Sequence, residues 1–160
     1  MTESYRGTAP SPWGTIALFS DGIALTGMDL PGGRYIKPAG QDHESLPVFQ
    51  QARQELADYF AGKLRNFTVP FDLVGTAFQV KVWRALLKIP YGKTATYSDI
   101  AKKIGALRAV RAVAMANARN PLPLIVPCHR VIGKNGALTG YSGGGVTRKA
   151  ALLKLEDVVL

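Results

Sequence analysis

One short segment of the chain brings three chemically active residue types together. Cys128, the only cysteine of the sequence, is followed directly by His129 and Arg130. A thiolate is the nucleophilic form of cysteine, and nearby cationic groups stabilise it. Successive side chains of an extended segment point to opposite faces, so we expect His129 to act on the thiol through water or a bent backbone. A structural role is the alternative, because cysteine is among the most buried residue types.

A base of this kind needs an acid to orient it. From residue 76 onwards the chain contains three acids, Asp99, Glu156 and Asp157. A carboxylate that accepts a hydrogen bond from an imidazole fixes its tautomer and stabilises its protonated form. Glu156 ends the last predicted helix, and its position makes it the partner that we expect for His129.

The charge of the chain is unevenly distributed. Residues 1–75 carry 6 Lys/Arg against 8 Asp/Glu, a net charge of −2, whereas residues 76–160 carry 14 against 3, a net charge of +11. A basic segment beside a neutral one is typical of proteins that bind a polyanion, most often nucleic acid. A solvated basic surface without a partner is the alternative. The shift in charge predicts a domain boundary near residues 74–76.

The composition is that of a globular protein. Hydrophobic residues make up 47% and charged residues 19% of the chain. No apolar run reaches the roughly 20 residues that a membrane-spanning helix needs, and the first residues lack the features of a secretory signal. One cysteine allows neither an internal disulfide nor a cysteine cluster for zinc. We therefore expect a cytoplasmic protein without a metal.

The first third of the sequence predicts strands followed by a helix. Apolar runs on either side of Asp21-Gly22 predict a β-hairpin. A helix is predicted from Ser45, as its cap, to a stop at Gly62. The other predicted elements of this third are a loop over residues 31–44 and a strand over residues 66–73 at a sheet edge.

The basic part of the chain predicts helices. One is capped by Thr76, and the last is capped by Thr147. Between them, two short helices over 94–105 and 106–120, joined by a turn at Gly105, are typical of a helix-turn-helix, although helical hairpins also occur in cores. The second helix is rich in alanine and arginine, so its backbone could approach a groove closely while its arginines reach phosphates or bases.

Several motifs together identify a family. The motif "PCHRV" (127–131), with "NP" before it (120–121) and "GYSGG" after it (140–144), resembles the O6-alkylguanine-DNA alkyltransferases, or methylated-DNA–protein-cysteine methyltransferases. The resemblance extends over "GTAFQVKVWRALLKIPYGKTATYSDIA" (75–101) and "RAVRAVAMANARNP" (108–121). It covers essentially all of residues 75–156, whereas the first third matches only through Pro-Trp-Gly before a hairpin.

The resemblance implies an α/β fold in two domains. A small ribonuclease H-like domain of β-sheet plus helix would occupy residues 1–75 and support the second domain. Residues 76–160 would form a mostly helical, winged helix-turn-helix-like domain that binds DNA and accepts the alkyl group.

The resemblance also implies roles for individual residues. Cys128 would take the alkyl group from guanine O6, and Glu156 and His129 would draw off its proton through a bound water. Asn120 would hold the active-site loop by hydrogen bonds. Tyr97 would donate toward the base as the leaving guanine takes up negative charge, and would crowd the phosphate during flipping.

DNA and base contacts follow from the same resemblance. Arg111 matches the family's finger that enters the duplex and fills the space of the extruded nucleotide. The other expected DNA contacts, through the minor groove, come from Tyr97, Arg108, Ala112 and Ala114. The expected base pocket consists of Val131, Tyr141, Ser142 and Gly143. Ala114 departs from the glycine that many members have at this position.

The implied function is irreversible DNA repair with one turnover per molecule and no cofactor or zinc. The substrate would be double-stranded DNA that carries O6-methylguanine, and also O4-methylthymine, bound by a monomer that could act cooperatively along DNA. Two alternatives remain: a lesion-recognition or regulatory DNA-binding module without transfer activity, and a cysteine hydrolase that turns over. The related alkyltransferase-like proteins carry tryptophan at the acceptor position, and Cys128 argues against that class.

Overall fold

A four-stranded sheet opens the chain in the computed structural model, which describes residues 4–33 and 40–159. The strands are β1 (Tyr5–Ser11), β2 (Gly14–Ser20), β3 (Leu25–Asp29) and β4 (Gln41–Asp42), in the order β3-β2-β1-β4. β2 pairs antiparallel with both β1 and β3, and β4 is parallel to β1. The predicted hairpin about Asp21-Gly22 is therefore confirmed. The loop predicted over residues 31–44 falls partly outside the described residues, and β4 lies within the rest of it.

Strand β1 carries little hydrophobic signal because its core-facing residues are small. Gly7 and Ala9 are buried beneath the helix that follows the sheet. A side-chain carbon at Gly7 would lie 2.5 Å from the ring of Phe49, so only glycine allows this close approach.

Helix α1 (Pro47–Phe60) covers this sheet. Its first residue is a proline, which needs no intrahelical partner for its nitrogen, and its cap is Leu46 without a side-chain hydrogen bond. The predicted cap at Ser45 is therefore wrong by one residue, because the cap directly precedes the first helical residue. Gly62 follows the helix with φ +75°, as its predicted role in stopping the helix requires.

The strand predicted over residues 66–73 is also wrong as a strand. The segment makes a single parallel bridge, between Phe71 and Leu25. Leu25 N–H donates to the carbonyl of Pro70 and Asp72 N–H donates to that of Leu25, both at 2.9 Å. The segment thus follows the edge of β3, as expected, but Pro70 has no N–H to continue a ladder.

Four α-helices and a short parallel pair of strands are the main elements of the rest of the described chain. The elements are α2 (Ala77–Leu86), β5 (Ala95–Thr96), α3 (Tyr97–Lys103), α4 (Val110–Ala118), β6 (Val131–Ile132) and α5 (Val146–Leu155), with β5 paired to β6. Thr76 caps α2 as predicted, in a reciprocal capping box with Gln79. α5 begins after Gly145, so the predicted cap at Thr147 is wrong; Thr147 lies within the first turn.

The pair α3 and α4 forms the expected helix-turn-helix arrangement. Gly105, with φ +74°, lies in the turn between them. Val113 lies on the buried face of α4. The indole of Trp83 on α2 donates a hydrogen bond to the carbonyl of Ala116 on α4 at 2.8 Å. This packing fixes α4 so that its opposite face, including Arg111, is exposed.

The two parts of the chain are joined by specific contacts. Met28 N–H on β3 donates to the carbonyl of Pro121 at 2.8 Å. The guanidinium of Arg148 on α5 donates to the carbonyl of Pro31 and lies 4.7 Å from the ring centroid of Trp13. Among the described residues, no helix is both long and apolar enough to cross a membrane.

Candidate active site

Cys128 lies at the start of a turn of 3₁₀ helix and is buried, with 1% of its surface exposed. The turn spans Cys128–Arg130 and is closed by the N–H of Arg130, which donates to the carbonyl of Pro127 at 3.0 Å. The chain becomes extended again at Val131. The sequence left two routes from His129 to the thiol, a bent backbone or a bridging water, and the backbone is bent at this turn.

His129 and Glu156 form a buried pair next to this turn. The imidazole Nε2 lies 2.7 Å from the carboxylate Oε2, and both side chains are fully buried. Burial lowers the pKa of His129 and outweighs the opposing charge of Glu156, so the imidazole is neutral near pH 7. Its other nitrogen, Nδ1, is buried and has no hydrogen-bond partner among the described residues. A neutral imidazole with a free nitrogen is able to accept a proton.

Glu156 accepts hydrogen bonds from three side chains. Besides His129, Arg130 donates through Nε to Oε1 at 2.7 Å and through Nη2 to Oε2 at 3.2 Å. The phenol of Tyr59 donates to Oε2 at 2.5 Å. Burial alone would raise the pKa of Glu156, but these hydrogen bonds lower it to about 2. The carboxylate is therefore ionised at physiological pH.

The position of Arg130 corrects one expectation from the sequence. Its guanidinium points away from the thiol, toward Glu156 and the carbonyl of Ile89, which is 2.6 Å from Nη1. It also lies 5.8 Å from the ring centroid of Tyr91. Adjacency in sequence therefore does not place this cation on Cys128, because the turn sends the two side chains in different directions.

Lys149 is the cation whose charge acts on the thiol. Burial raises the pKa of Cys128 to about 11, although a hydrogen bond with the Asn120 side chain and the charge of Lys149 both oppose that rise. The resting group at neutral pH is therefore the thiol, and a base must remove its proton before it can act as a nucleophile. Lys149 is fully buried on α5 and had no assigned role from the sequence.

Asn120 fixes the loop that leads to Cys128. Its side-chain amide donates to the carbonyl of Val126 at 2.8 Å, and its side-chain oxygen accepts from the N–H of Leu122 at 2.9 Å. These bonds close the proline-rich segment upon itself. Leu124 within it has φ +76°, which the closed loop imposes on a residue that does not favour it.

Tyr97 is connected to the site through a residue that the sequence did not indicate. Its phenol lies 2.6 Å from the hydroxyl of Thr139, to which Lys149 Nζ donates at 3.5 Å. Tyr97 is half-buried at the start of α3, and Thr139 links its hydroxyl group to the buried lysine. Such a chain of polar contacts has no local sequence pattern, because Tyr97 precedes Thr139 by 42 residues.

The predicted base-pocket residues differ in exposure. Val131 and Tyr141 are buried, Ser142 is half-buried, and the Tyr141 hydroxyl has no hydrogen-bond partner among the described residues. Gly143 packs on the Tyr141 ring, where an added side-chain carbon would lie 2.5 Å from Cζ. Glycine at residue 143 is therefore needed for the present position of the ring.

The expected DNA contacts lie on the outer face of the helix-turn-helix. Arg108, Arg111 and Ala112 are exposed, whereas Ala114 is half-buried. Met115 adds an exposed apolar side chain, with 59% of its surface accessible. The structure does not bring these residues to the thiol; α4 connects to it through Asn120. Among the described residues, no cluster of His, Cys, Asp and Glu suitable for a metal ion is found.

The fold and the site together define a class of protein. The basic part of the chain contains a helix-turn-helix and, in a separate turn, a buried cysteine beside a His–Glu pair, and this part packs on a small α/β part. Residues 4–73 match the ribonuclease-like domain of 6-O-methylguanine DNA methyltransferase, and residues 77–158 match its DNA binding domain. The chain belongs to the 6-O-methylguanine DNA methyltransferase family, which confirms the resemblance noted from the motifs.

Similar proteins cover nearly the whole chain. The constitutive methylated-DNA–protein-cysteine methyltransferase of Bacillus subtilis is 44% identical over 159 residues, 97% of this chain and 96% of the relative. That of Mycobacterium tuberculosis is 50% identical over 153 residues, 95% of this chain and 91% of the relative. A crystal structure of Mycobacterium tuberculosis OGT in complex with DNA superimposes with a TM-score of 0.89 at 47% identity, covering 95% and 92% of the two chains. These similarities confirm the predicted α/β fold.

Proposed function

We propose that this protein repairs alkylated DNA as a methylated-DNA–protein-cysteine methyltransferase and that Cys128 is the acceptor. The observation that carries the proposal is the buried Cys128 beside the 2.7 Å pair of His129 and Glu156, on a part of the chain with a net charge of +11. The relatives from Bacillus subtilis and Mycobacterium tuberculosis bear this activity in their names, and the Mycobacterium tuberculosis structure is bound to DNA.

Proton removal comes first in the proposed reaction. The pKa of Cys128, about 11, keeps it a thiol at rest, and His129 takes its proton through a water molecule at the free Nδ1. Glu156 is already ionised and stabilises the imidazolium that forms. The relay therefore uses the ring nitrogen that faces away from Glu156.

Alkyl transfer then consumes the thiolate. The Cys128 sulfur forms a bond to the alkyl carbon as the bond from that carbon to guanine O6 breaks, and the electron pair passes to the guanine. Tyr97 donates a hydrogen bond and then a proton to the departing base. The product thioether offers water no good leaving group, so each molecule reacts once, without a cofactor.

Access to the alkylated base requires its extrusion from the duplex. A base inside the stack cannot be reached, and flipping costs a few kcal/mol. The exposed face of α4 enters the minor groove, and Arg111 occupies the space that the base leaves. The base then enters the pocket formed by Val131, Tyr141, Ser142 and Gly143. Contacts from Arg108 and other cations to phosphates make the affinity salt-dependent.

The proposal extends to substrate range and assembly. Residues 1–75 support the domain of residues 76–160, which binds double-stranded DNA as a monomer and could bind cooperatively along it. O6-methylguanine is the main substrate, and O4-methylthymine presents the same alkyl–oxygen bond to the thiolate.

Intact-mass measurement after incubation with a duplex that contains O6-methylguanine tests the proposal. One added methyl group, located on Cys128 and not exceeded with excess substrate, is expected. An unchanged mass with tight binding would instead indicate a lesion-recognition or regulatory module. Repeated turnover without a mass change would indicate a hydrolase.

The Arg111→Ala variant tests base extrusion. We expect methyl transfer from duplex DNA to slow by about tenfold or more, because the space left by the flipped base is no longer filled and flipping costs a few kcal/mol. Single-turnover rates with duplex and single-stranded substrates measure the effect, which should be much smaller on the single strand. Arg119→Ala is the matched control, because it removes an equal exposed charge at the end of α4. Equal losses in both variants, or on both substrates, would contradict the finger role.

The Tyr97→Phe variant tests proton donation to the leaving base. We expect the transfer rate to fall by about tenfold to a hundredfold with DNA affinity nearly unchanged, as is typical for loss of a general acid. Thr139→Val is the control, since it removes the 2.6 Å hydrogen bond to Tyr97 while the phenol remains. If Thr139→Val slowed transfer as much as Tyr97→Phe, the hydrogen bond inside the protein rather than donation would explain the loss.

A further inference from the structure

Tyr59 reaches the candidate relay from the other part of the chain. It lies near the end of α1, in the N-terminal part, and is 97 residues from Glu156 in sequence. Its hydroxyl lies 2.5 Å from Glu156 Oε2, and both side chains are fully buried. The rings of Phe60 and Phe67 hold its ring, with centroids at 5.5 Å and 5.3 Å.

The direction of this hydrogen bond is fixed by the two groups. Burial, together with the negative charge of Glu156, raises the pKa of Tyr59, so the phenol stays protonated. The pKa of Glu156 is about 2, so the carboxylate has no proton to give. Tyr59 is therefore the donor, in a charge-assisted hydrogen bond that is short and stronger than a neutral one.

The acceptor atom of this bond is the one that holds His129. Oε2 accepts from His129 Nε2 at 2.7 Å, from Tyr59 at 2.5 Å and from Arg130 Nη2 at 3.2 Å. Each donor takes up part of the negative charge on the oxygen. Without the Tyr59 donor, Oε2 would attract a proton on His129 more strongly, and a protonated His129 could not accept the thiol proton.

We propose that Tyr59 is a positioning residue of the transfer reaction, whose phenol orients Glu156 and limits its hold on His129 so that the imidazole stays neutral and able to accept the proton of Cys128. The inference rests on the proposed function. It gives the N-terminal part a role beyond support, because that part supplies one of the three side chains bonded to the carboxylate.

Other ionisable groups face the pair from every side. Arg130 and Lys149 act on the pair through charge or hydrogen bonds, and Tyr141 acts on Tyr59. Tyr91 and Tyr141 sense the charge of Glu156 in turn. Arg130 and Lys149 are cations whose charges oppose protonation of His129. Both are retained when Tyr59 alone is substituted, so the substitution changes one member of this group.

The titration of His129 in a Tyr59→Phe variant tests the inference. The sequence contains 2 histidines, so NMR of the ring protons has to distinguish His129 from only one other residue. We expect the titration of His129 to move up by about one pH unit, the equivalent of a tenfold change in proton affinity. The acid limb of the single-turnover transfer rate should move with it. A midpoint that does not move would overturn the inference.

Tyr91→Phe is the matched control. The Tyr91 hydroxyl donates to the backbone carbonyl of Leu155 at 3.2 Å, next to Glu156, but not to the carboxylate. Its removal should leave the His129 titration in place. An equal shift in both variants would assign the effect to general loosening near Glu156 and would overturn the role of Tyr59.

A second substitution guards against a variant that does not fold. Replacement of Tyr59 by 3-fluorotyrosine keeps the ring and hydroxyl but makes the phenol a stronger donor, so the His129 titration should move down. A shift in the other direction, or none, would overturn the inference. These titrations need no DNA, so they are separate from the proposed function, which fails if the unsubstituted protein gains no methyl group from O6-methylguanine duplex.

Discussion

The Cys128→Ala variant should gain no methyl group from alkylated DNA and should still bind it. The substitution removes the acceptor atom, so no residual transfer is expected, in contrast to the partial losses at Tyr97 and Arg111. The side chain is buried and lies apart from the exposed face of α4. Binding to duplex should therefore stay within about twofold, the usual effect of a change away from the contact surface.

Intact-mass spectrometry and fluorescence anisotropy on the same labelled duplex measure the two halves of this prediction. Cys128→Ser is the control for shape, because a hydroxyl nearly matches the thiol in size but holds its proton more tightly and is the weaker nucleophile. Methyl transfer to another residue of Cys128→Ala would contradict the assignment of the acceptor. A loss of DNA binding in both variants would show that the loop also forms part of the DNA surface.

The arrangement of the site could be predicted only in part. The sequence indicated that Glu156 pairs with His129, and the two side chains are in contact. The pairing could be predicted because His129 lies within the "PCHRV" motif and Glu156, one of three acids from residue 76 onwards, ends the last predicted helix. The roles of these residues in transfer stay predictions until the variants are measured.

Contacts that cross between the two parts of the chain could not be predicted. Tyr59 lies on the apolar face of the predicted helix, so the periodicity predicts that its side chain is buried. The periodicity does not predict which group the side chain contacts. Within the C-terminal part, Tyr97 and Thr139 are 42 residues apart in sequence and likewise meet only in the folded chain. The direction of the Arg130 side chain depends on the 3₁₀ turn. The prolines before this turn predict an irregular segment, but they do not predict that the backbone bends there.

Local errors in the fold have physical reasons of the same kind. Helix α1 begins at Pro47, so its cap is Leu46 and not Ser45. Helix α5 begins at Val146, so its cap is Gly145 and not Thr147. Strand β1 was not indicated because Gly7 must be small beneath Phe49. In each case a tertiary or backbone constraint decides among residues that have similar local preferences.

Replacement of Glu156 by alanine should destabilise the protein severely. Arg130 is buried with Glu156 as its ion-pair partner, and removal of one partner from a buried pair costs about 3–5 kcal/mol because the other charge stays buried without compensation. His129 and Tyr59 would lose the same acceptor. Urea unfolding near neutral pH measures this loss, and Arg130→Met combined with Glu156→Ala should recover part of it. A double variant no more stable than Glu156→Ala would show that the unpaired charge is not the cause.

The same carboxylate should also make stability depend on pH. Its pKa falls from 4.5 to about 2 on folding, so its contribution is fully present above pH 4.5 and is lost as the pH falls toward 2. A shift of this size corresponds to about 3 kcal/mol. Urea unfolding of the wild type and of Glu156→Gln, near neutral pH and near pH 3, measures it: the wild type should lose more stability on acidification than the glutamine variant, whose residue 156 does not titrate. Parallel losses in the two proteins would mean that other carboxylates dominate the acid response. The three donors would then lower the pKa of Glu156 less than their contacts indicate. That result would contradict a carboxylate that stays ionised throughout transfer.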